Sequence, residues 1–157
     1  MITILQHKPE EMGNSEIEIL LVEDSIHDAE MTIRALRKSN ISNKIIHLKD
    51  GAVALDFLFG RKEYENRDTN NKPRIILLDL KMPKINGLEV LKAVKENELT
   101  KTIPVVVLTS SKEGPDIDKA YELGVNSYIV KPVDFDGFMK AIGEVGLYWM
   151  LINQPPT

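Results

Sequence analysis

The sequence contains no cysteine among its 157 residues. The absence of thiols excludes disulfides, zinc sites built on thiolates and catalysis by a cysteine nucleophile, and it agrees with a reducing compartment. No apolar run approaches the roughly 20 residues of a membrane-spanning helix, and residues 1–8 have neither the basic start nor the apolar stretch of a signal peptide. We therefore expect a cytoplasmic protein with no membrane partner.

A basic excess is also missing. Twenty lysines and arginines stand against 24 aspartates and glutamates, for a net charge of −4, whereas a nucleic-acid-binding domain usually carries a surplus of positive charge. Hydrophobic residues at 43% and charged residues at 28% are the balance of a folded globular protein. The length corresponds to about one domain. We predict a leader over residues 1–16, a domain over residues 17–152 and a tail over residues 153–157.

Short runs of apolar residues, rich in β-branched side chains, alternate along the chain with segments whose apolar residues have the spacing of a helix. The runs are too short for helices, which predicts strands at residues 17–22, 43–49, 75–78, 103–108 and 127–130. Helices are predicted after each strand, and Asp50, Asn86 and Asp134 are expected to cap three of them. This alternation predicts a doubly wound α/β fold, (βα)5, with a parallel sheet and right-handed crossovers.

Polar side chains stand where these strands end. Glu23 and Asp24 follow the first strand, Asp79 the third, Thr109 the fourth and Lys131 the fifth. In a doubly wound fold the carboxyl ends of the strands meet at one edge of the sheet, and ligands bind outside that edge. We therefore expect these side chains to lie together, with Asp79 near the middle because it follows the most apolar strand.

The three carboxylates at this edge would repel one another strongly unless a cation were present. An oxygen-only cluster suits a hard ion, and Mg²⁺ is the natural occupant. Asp79 could then attack phosphorus and form an aspartyl-phosphate. Lys131 would supply a positive charge and Thr109 a hydroxyl donor to the phosphoryl oxygens, which is most of what phosphoryl transfer requires.

Five motifs at these positions resemble the receiver domain of two-component response regulators. They are LVEDS at residues 21–25, LLDLKMP at 77–83, NG at 86–87, VLTSS at 107–111 and YIVKP at 128–132. The resemblance extends over roughly residues 17–150. It implies a flavodoxin-like three-layer sandwich whose parallel sheet has the strand order 2-1-3-4-5.

The resemblance also implies a role for each acidic residue. Asp79 matches the phosphoacceptor, which receives its phosphoryl group from a sensor histidine kinase in a Mg²⁺-dependent reaction. Asp24 and Asp79 match direct ligands of the metal, Glu23 matches a ligand that acts through water, and Lys81 would contribute its backbone carbonyl. Formation and hydrolysis of the acylphosphate would be self-catalysed, without the turnover of an enzyme.

The remaining matched residues belong to the conformational switch of the family. Thr109 and Lys131 match the hydroxyl and the lysine that bind the phosphoryl group, and Tyr128 matches an aromatic residue that turns inward, although simple packing would equally explain a tyrosine at this position. The peptide bond between Lys131 and Pro132 is expected to be cis. Because the seven residues after Met150 are too few to form an effector domain, output is expected through contact with a downstream protein, through a change of the dimer, or through transfer of the phosphoryl group to a phosphotransfer protein.

Three positions depart from the pattern of the family. Glu23 occupies a position that is often Asp, Ser110 replaces a smaller residue, and Lys81 places an extra cation near Asp79. We expect tighter access to Asp79 and an altered rate of dephosphorylation. The chain also resembles single-domain regulators paired with phytochrome-type histidine kinases in its long loop at residues 61–73, in the segment GVNSY at residues 124–128 and in its apolar C-terminus. We expect the first part of the loop, residues 61–65, to be solvated.

Two other functions fit the sequence less well. A Mg²⁺-dependent phosphohydrolase with an Asp nucleophile commonly needs a second Asp two residues later, and position 81 is Lys. A scaffold that is never phosphorylated would not need so complete an acidic site. The three histidines, His7, His27 and His47, have no ligand spacing, and we expect surface or packing roles for them.

The segment at residues 147–152 is apolar all round. One face of a helix there could dock on the sheet, but the other would expose several large side chains, which monomers seldom do. We therefore expect a homodimer through the C-terminal helix; the alternative is that this segment folds back onto the body of the domain.

Overall fold

Five parallel strands form one sheet in the computed structural model, which describes residues 19–38, 44–110 and 114–145. The strands are β1 (Ile19–Val22), β2 (Ile45–Leu48), β3 (Ile75–Asp79), β4 (Val105–Thr109) and β5 (Ser127–Val130). Their order in space is β2-β1-β3-β4-β5, and each neighbouring pair is parallel. The predicted doubly wound, flavodoxin-like fold and its strand order are confirmed. Residues 17, 18 and 43 of the predicted strands lie outside the described residues.

A helix follows each strand within the described ranges. The helices are α1 (Ile26–Lys38), α2 (Gly51–Phe59), α3 (Gly87–Glu96), α4 (Pro115–Glu122) and α5 (Phe135–Val145), and a short 3-10 turn at Lys62–Tyr64 follows α2. None of these helices is long and apolar enough to cross a membrane. The apolar segment at residues 147–152, on which the expected dimer depends, lies outside the described residues.

The predicted capping residues begin three of the helices. The Asp50 carboxylate accepts the amide hydrogens of Ala52 and Val53 at 2.7 and 3.1 Å. Asn86 accepts the amide hydrogen of Glu89 at 3.0 Å, and Asp134 accepts that of Gly137 at 2.7 Å. These oxygens satisfy donors that have no partner inside the first turn of a helix, so all three helices begin where the sequence predicted.

Strands β1 to β4 are buried along their whole length and β5 at every second residue. The alternation of side chains along the strands divides the core into two layers. On one face, Leu20, Ile76 and Leu78 pack with buried residues of α2, α3 and α4. On the other face, Leu21 and Leu77 pack with buried residues of α1 and α5. In this three-layer arrangement the helices cover both faces of the sheet. Charged side chains that follow the strands are therefore placed at the ends of the strands.

The loop after α2 departs from the expectation of a solvated tract. Tyr64 is 5% exposed, and its ring meets the Phe57 ring edge-on at 5.4 Å. The Arg67 guanidinium lies 3.9 Å from the centre of the Phe57 ring, and it donates to the backbone carbonyls of Asp68 and Asn71. A cation above an aromatic face is attracted by the ring quadrupole. The loop is therefore anchored to the core by Phe57.

The start of α3 is packed directly against the backbone that follows β3. A Cβ atom on Gly87 would lie 2.6 Å from the Cα atom of Leu80, and it would lie closer still to the carbonyl oxygen of Asp79. The Gly87 amide also donates to the Leu80 carbonyl at 3.0 Å. Only glycine permits this approach, which fixes the backbone of Asp79 against a helix.

We predict that Gly87→Ala lowers the free energy of unfolding by about 1–3 kcal/mol, because backbone atoms must move to admit the methyl group. Gly114→Ala is the matched control, since a Cβ atom at Gly114 meets nothing within 4 Å, and it should change the free energy of unfolding by less than about 1 kcal/mol. Urea denaturation followed by circular dichroism measures both. Equal losses in the two variants would contradict the close approach.

Candidate functional site

The carboxyl ends of the central strands bring three carboxylates together. Glu23 and Asp24 follow β1, and Asp79 is the last residue of the adjacent strand β3. One carboxylate oxygen from each of the three residues lies within 4.8 Å of the others. Glu23 is fully buried and Asp79 is 3% exposed, so water does little to screen their mutual repulsion. The expected cluster of acids is therefore present at one edge of the sheet.

Lys131 reaches this cluster from the end of β5. Its ammonium lies 2.8 Å from Glu23 Oε1, 3.2 Å from Asp79 Oδ1 and 3.0 Å from Asp28 Oδ2. Its side chain is 17% exposed. Burial by itself lowers the pKa of Lys131, but its hydrogen bonds to Glu23 and Asp28 and the charge of Asp79 outweigh burial and hold the pKa above its ordinary value. The ammonium is therefore charged at any physiological pH.

One ammonium does not neutralise the acids around it. Desolvation raises the pKa of Glu23 from 4.5 to about 7, although the hydrogen bond to Lys131 acts in the opposite direction, and the Asp79 charge adds to the rise. The pKa of Asp24 is also raised, first by desolvation and then by Asp79. An excess of negative charge with only oxygen donors is the environment that a hard divalent cation prefers. The residues present therefore fit such an ion.

Thr109 and Lys131 are joined through their backbones. Thr109 ends β4 and is 9% exposed, and its carbonyl oxygen accepts the Lys131 amide hydrogen at 2.6 Å. The peptide bond between Lys131 and Pro132 is cis, the isomer that the resemblance implies. Ser110, the next residue after Thr109, is exposed. The structure thus places the hydroxyl and the amine on neighbouring strands at the same edge as Asp79.

Tyr128 lies inside β5, before the end of the strand, and its side chain is half-buried. Its ring meets the ring of Tyr121 on α4 edge-on, with the centroids 6.3 Å apart and the planes at 90°. Tyr121 itself is 46% exposed. Because edge-to-face pairs of this kind are favourable, the two tyrosines form a contact between α4 and β5 that a rotation of Tyr128 would break.

Lys81 does not place its charge where the sequence analysis expected it. Its ammonium pairs with the carboxylate of Asp116, in the first turn of α4, and the Lys81 side chain is 78% exposed. Its amide nitrogen donates to Asp79 Oδ1 at 3.4 Å. The extra cation is therefore directed away from Asp79 and toward α4, because a carboxylate is available there.

Asp28 and His47 belong to the site, yet sequence reasoning assigned neither to it. At the start of α1 the Asp28 amide donates to Ser25 Oγ at 3.2 Å, whereas the Asp28 carboxylate contacts Lys131. His47 is 1% exposed, and its Nε2 lies 2.8 Å from the Glu23 carbonyl oxygen. Burial lowers the pKa of His47. The polar residue in an otherwise apolar strand was the signal that could have identified it.

We predict that the metal-free protein loses stability as the pH rises from 5 to 8. Glu23 titrates at 4.5 when unfolded and at about 7 when folded, so the folded state binds more protons between those values, and its free energy of unfolding falls by about 3 kcal/mol across them. The variant Glu23→Gln should lack this part of the slope, which denaturation at several pH values measures. Identical slopes in the two proteins would contradict the prediction.

Comparisons with known proteins agree with this geometry. The model of the response regulator receiver domain family matches residues 19–143. Response regulator Rcp1 of Synechocystis sp. is 42% identical over 132 residues, which cover 84% of this chain and 88% of Rcp1. The structure of the bacteriophytochrome response regulator RtBRR has a TM-score of 0.80 and 49% identity, over 90% of this chain and 85% of that protein.

A further structure, the Mn²⁺-bound form of Rcp1, is 39% identical with a TM-score of 0.69, over 89% of this chain and 97% of that protein. These relatives share the strand order and nearly the whole length of the chain. They are response regulators, which signal by conformational change. The chain belongs to the response regulator receiver domain family of two-component signalling.

Proposed function

We propose that Asp79 is the phosphoacceptor and that a sensor histidine kinase is the donor. The observation that carries this proposal is the buried Asp79 carboxylate, which has Lys131 at 3.2 Å and two further acids around it. A carboxylate oxygen of Asp79 attacks phosphorus, the bond between phosphorus and the donor imidazole breaks, and the imidazole leaves as the neutral base after it takes up a proton.

The same proposal assigns the metal ligands. Asp24 and Asp79 would bind the ion directly, Glu23 through water and Lys81 through its backbone carbonyl. Rcp1 binds Mn²⁺, and for this chain we propose Mg²⁺, because it keeps several waters and takes only one or two carboxylates. When bound, the ion neutralises charge on the carboxylates and on the incoming phosphoryl group.

The chain itself supplies the other charges that the reaction needs. Lys131 is held by Glu23 and Asp28 within reach of any group attached to Asp79. It would therefore contact a phosphoryl oxygen without a large movement. Thr109 stands on the next strand, and its hydroxyl would donate to another phosphoryl oxygen. A preorganised donor such as Lys131 stabilises developing charge because it needs little rearrangement during the reaction.

Phosphorylation would switch the conformation through these two residues. A phosphoryl group on Asp79 adds roughly −1.5 to −2 units of charge and three acceptor oxygens. Each charge-assisted hydrogen bond is worth about 1.5–3 kcal/mol, which shifts a two-state equilibrium by roughly one to two decades. Thr109 would move toward the phosphoryl group and Tyr128 into the space it leaves, which changes the surface formed by α4, β5 and α5.

The proposal also names a donor of the phosphoryl group and a protein that receives the signal. A phytochrome-type histidine kinase is proposed as the donor because RtBRR is a bacteriophytochrome response regulator, and a downstream protein or a phosphotransfer protein as the receiver. A kinase that takes its phosphoryl group from ATP acts in the cytoplasm, where we place this protein. The domain boundaries 17–152 and the homodimer through residues 147–152 remain part of the proposal.

We predict a single phosphoryl adduct after incubation with acetyl phosphate and Mg²⁺, and its loss in Asp79→Asn, because the amide is not a nucleophile toward phosphorus. Intact-mass spectrometry measures the adduct. Asp134→Asn is the matched control, since Asp134 only accepts the Gly137 amide hydrogen at the start of α5, and it should be labelled like the wild type. An adduct that persists in Asp79→Asn would contradict the assignment.

We predict that Thr109→Ala keeps nearly all of the phosphoryl adduct. In the phosphorylated variant, the ratio of the switched to the unswitched conformation should fall about tenfold, because one charge-assisted hydrogen bond is removed. Hydrogen exchange in α4 and β5, measured with and without phosphorylation, reports the switch. Thr109→Ser keeps the hydroxyl and should switch like the wild type. If Thr109→Ala lost phosphorylation altogether, the hydroxyl would belong to the transfer step instead of the switch.

A further inference from the structure

His47 is a buried polar residue on the edge strand β2. It is 1% exposed and pairs in register with Leu21 of β1, two residues before Glu23. Its neighbours along the strand, Ile45, Ile46 and Leu48, are all apolar. Burying a polar ring among such side chains is unfavourable unless its nitrogen atoms find hydrogen-bond partners. The hydrogen bonds of this ring therefore indicate its role.

The ring makes one hydrogen bond, and it is made to the acidic site. Nε2 lies 2.8 Å from the backbone carbonyl oxygen of Glu23. A carbonyl oxygen can only accept, so Nε2 carries the proton and Nδ1 does not. Within the described residues, Nδ1 has no hydrogen-bond partner. The ring is therefore held in place by packing and by this single donation to Glu23.

The bond from His47 replaces a backbone hydrogen bond that is missing at the end of the β1–β2 pairing. The Glu23 amide donates to the Leu48 carbonyl at 3.1 Å, which continues the pairing of β1 with β2 by one residue. In a regular parallel ladder the carbonyl of Glu23 would accept from the backbone of β2 two residues further on. That position is Asp50, which caps α2. The imidazole of His47 supplies the donor at this carbonyl, so both polar backbone groups of Glu23 are tied to β2.

We propose that His47 is a positioning residue for the metal ligands at the end of β1. The Glu23 carbonyl belongs to the peptide group that joins Glu23 to Asp24, so the bond from His47 fixes the plane of that peptide and the direction in which Asp24 leaves the strand. His47 touches neither the metal nor Asp79. The inference rests on the proposed function, because it assumes that Glu23 and Asp24 hold a divalent cation.

The test is a Mg²⁺ titration by calorimetry on wild type, His47→Leu and His47→Gln. Loss of a residue that orients metal ligands typically weakens metal binding 10–100-fold, so we expect the Kd for Mg²⁺ to rise about tenfold in His47→Leu. The Gln amide nitrogen can take the place of Nε2 and should restore most of the affinity. Ile45→Ala is the stability control, because it removes a buried side chain on the same face of β2 without touching Glu23.

A second readout separates binding from chemistry. In His47→Leu, the Mg²⁺ concentration that gives half-maximal phosphorylation by acetyl phosphate should rise by the same factor as the Kd, whereas the rate at saturating Mg²⁺ should change little. If His47→Leu does not fold, His47→Asn, whose amide is too short to reach the Glu23 carbonyl, is compared with His47→Gln in its place.

The outcomes distinguish this inference from the proposed function. Equal Mg²⁺ affinity in wild type and in the variant that lacks the donor would overturn the role of His47 and leave Asp79 as the phosphoacceptor. An equal loss of affinity in Ile45→Ala would also overturn it, because general destabilisation would then explain the effect. A wild-type chain that binds no Mg²⁺ would overturn the metal site and the positioning role together.

Discussion

The contact of the Lys131 ammonium with Glu23, Asp28 and Asp79 is the interaction on which the functional edge depends. A buried carboxylate without a partner would give up its charge, and three of them could not share one edge as anions. The lysine stabilises part of this charge but leaves an excess of negative charge on Glu23 and Asp24. That imbalance distinguishes a site that is ready for a cation from a closed structural ion pair, in which the charges would cancel.

The fold explains why such a cluster can form at all. The strands are mostly apolar before their last residues, with His47 and Ser127 as buried polar exceptions, so charged groups gather at the ends of the strands. Because the strands are parallel, their last residues point to the same edge, and polar residues from four separate segments of the chain meet there. The same packing holds the acids close enough to interact, since Glu23 and Asp79 cannot move outward into water without disturbing β1 and β3.

The sequence was sufficient to predict the strands and the five side chains at the edge, because period, length and position relative to strand ends are local properties. The order of the strands is not local, and it was implied only by the resemblance to receiver domains. The sequence was also not sufficient for contacts that depend on how distant segments pack. Asp28 lies in the first turn of α1, and only the packing of α1 beside α5 brings it close to Lys131. Tyr64 and Arg67 stand in a polar tract, and their attachment to Phe57 has no local signal. The direction of the Lys81 side chain depends on Asp116, 35 residues away.

The glycine at the start of α3 has a consequence for how the domain responds. With no side chain between them, the first turn of α3 rests on the peptide groups of Asp79 and Leu80. A soft side chain at that point would absorb small displacements, whereas two backbones in direct contact cannot. A shift of the main chain at Asp79 would therefore displace the first turn of α3. Because a helix moves as a rigid body, the C-terminal end of α3 would move as well, although it lies far from the edge of the sheet.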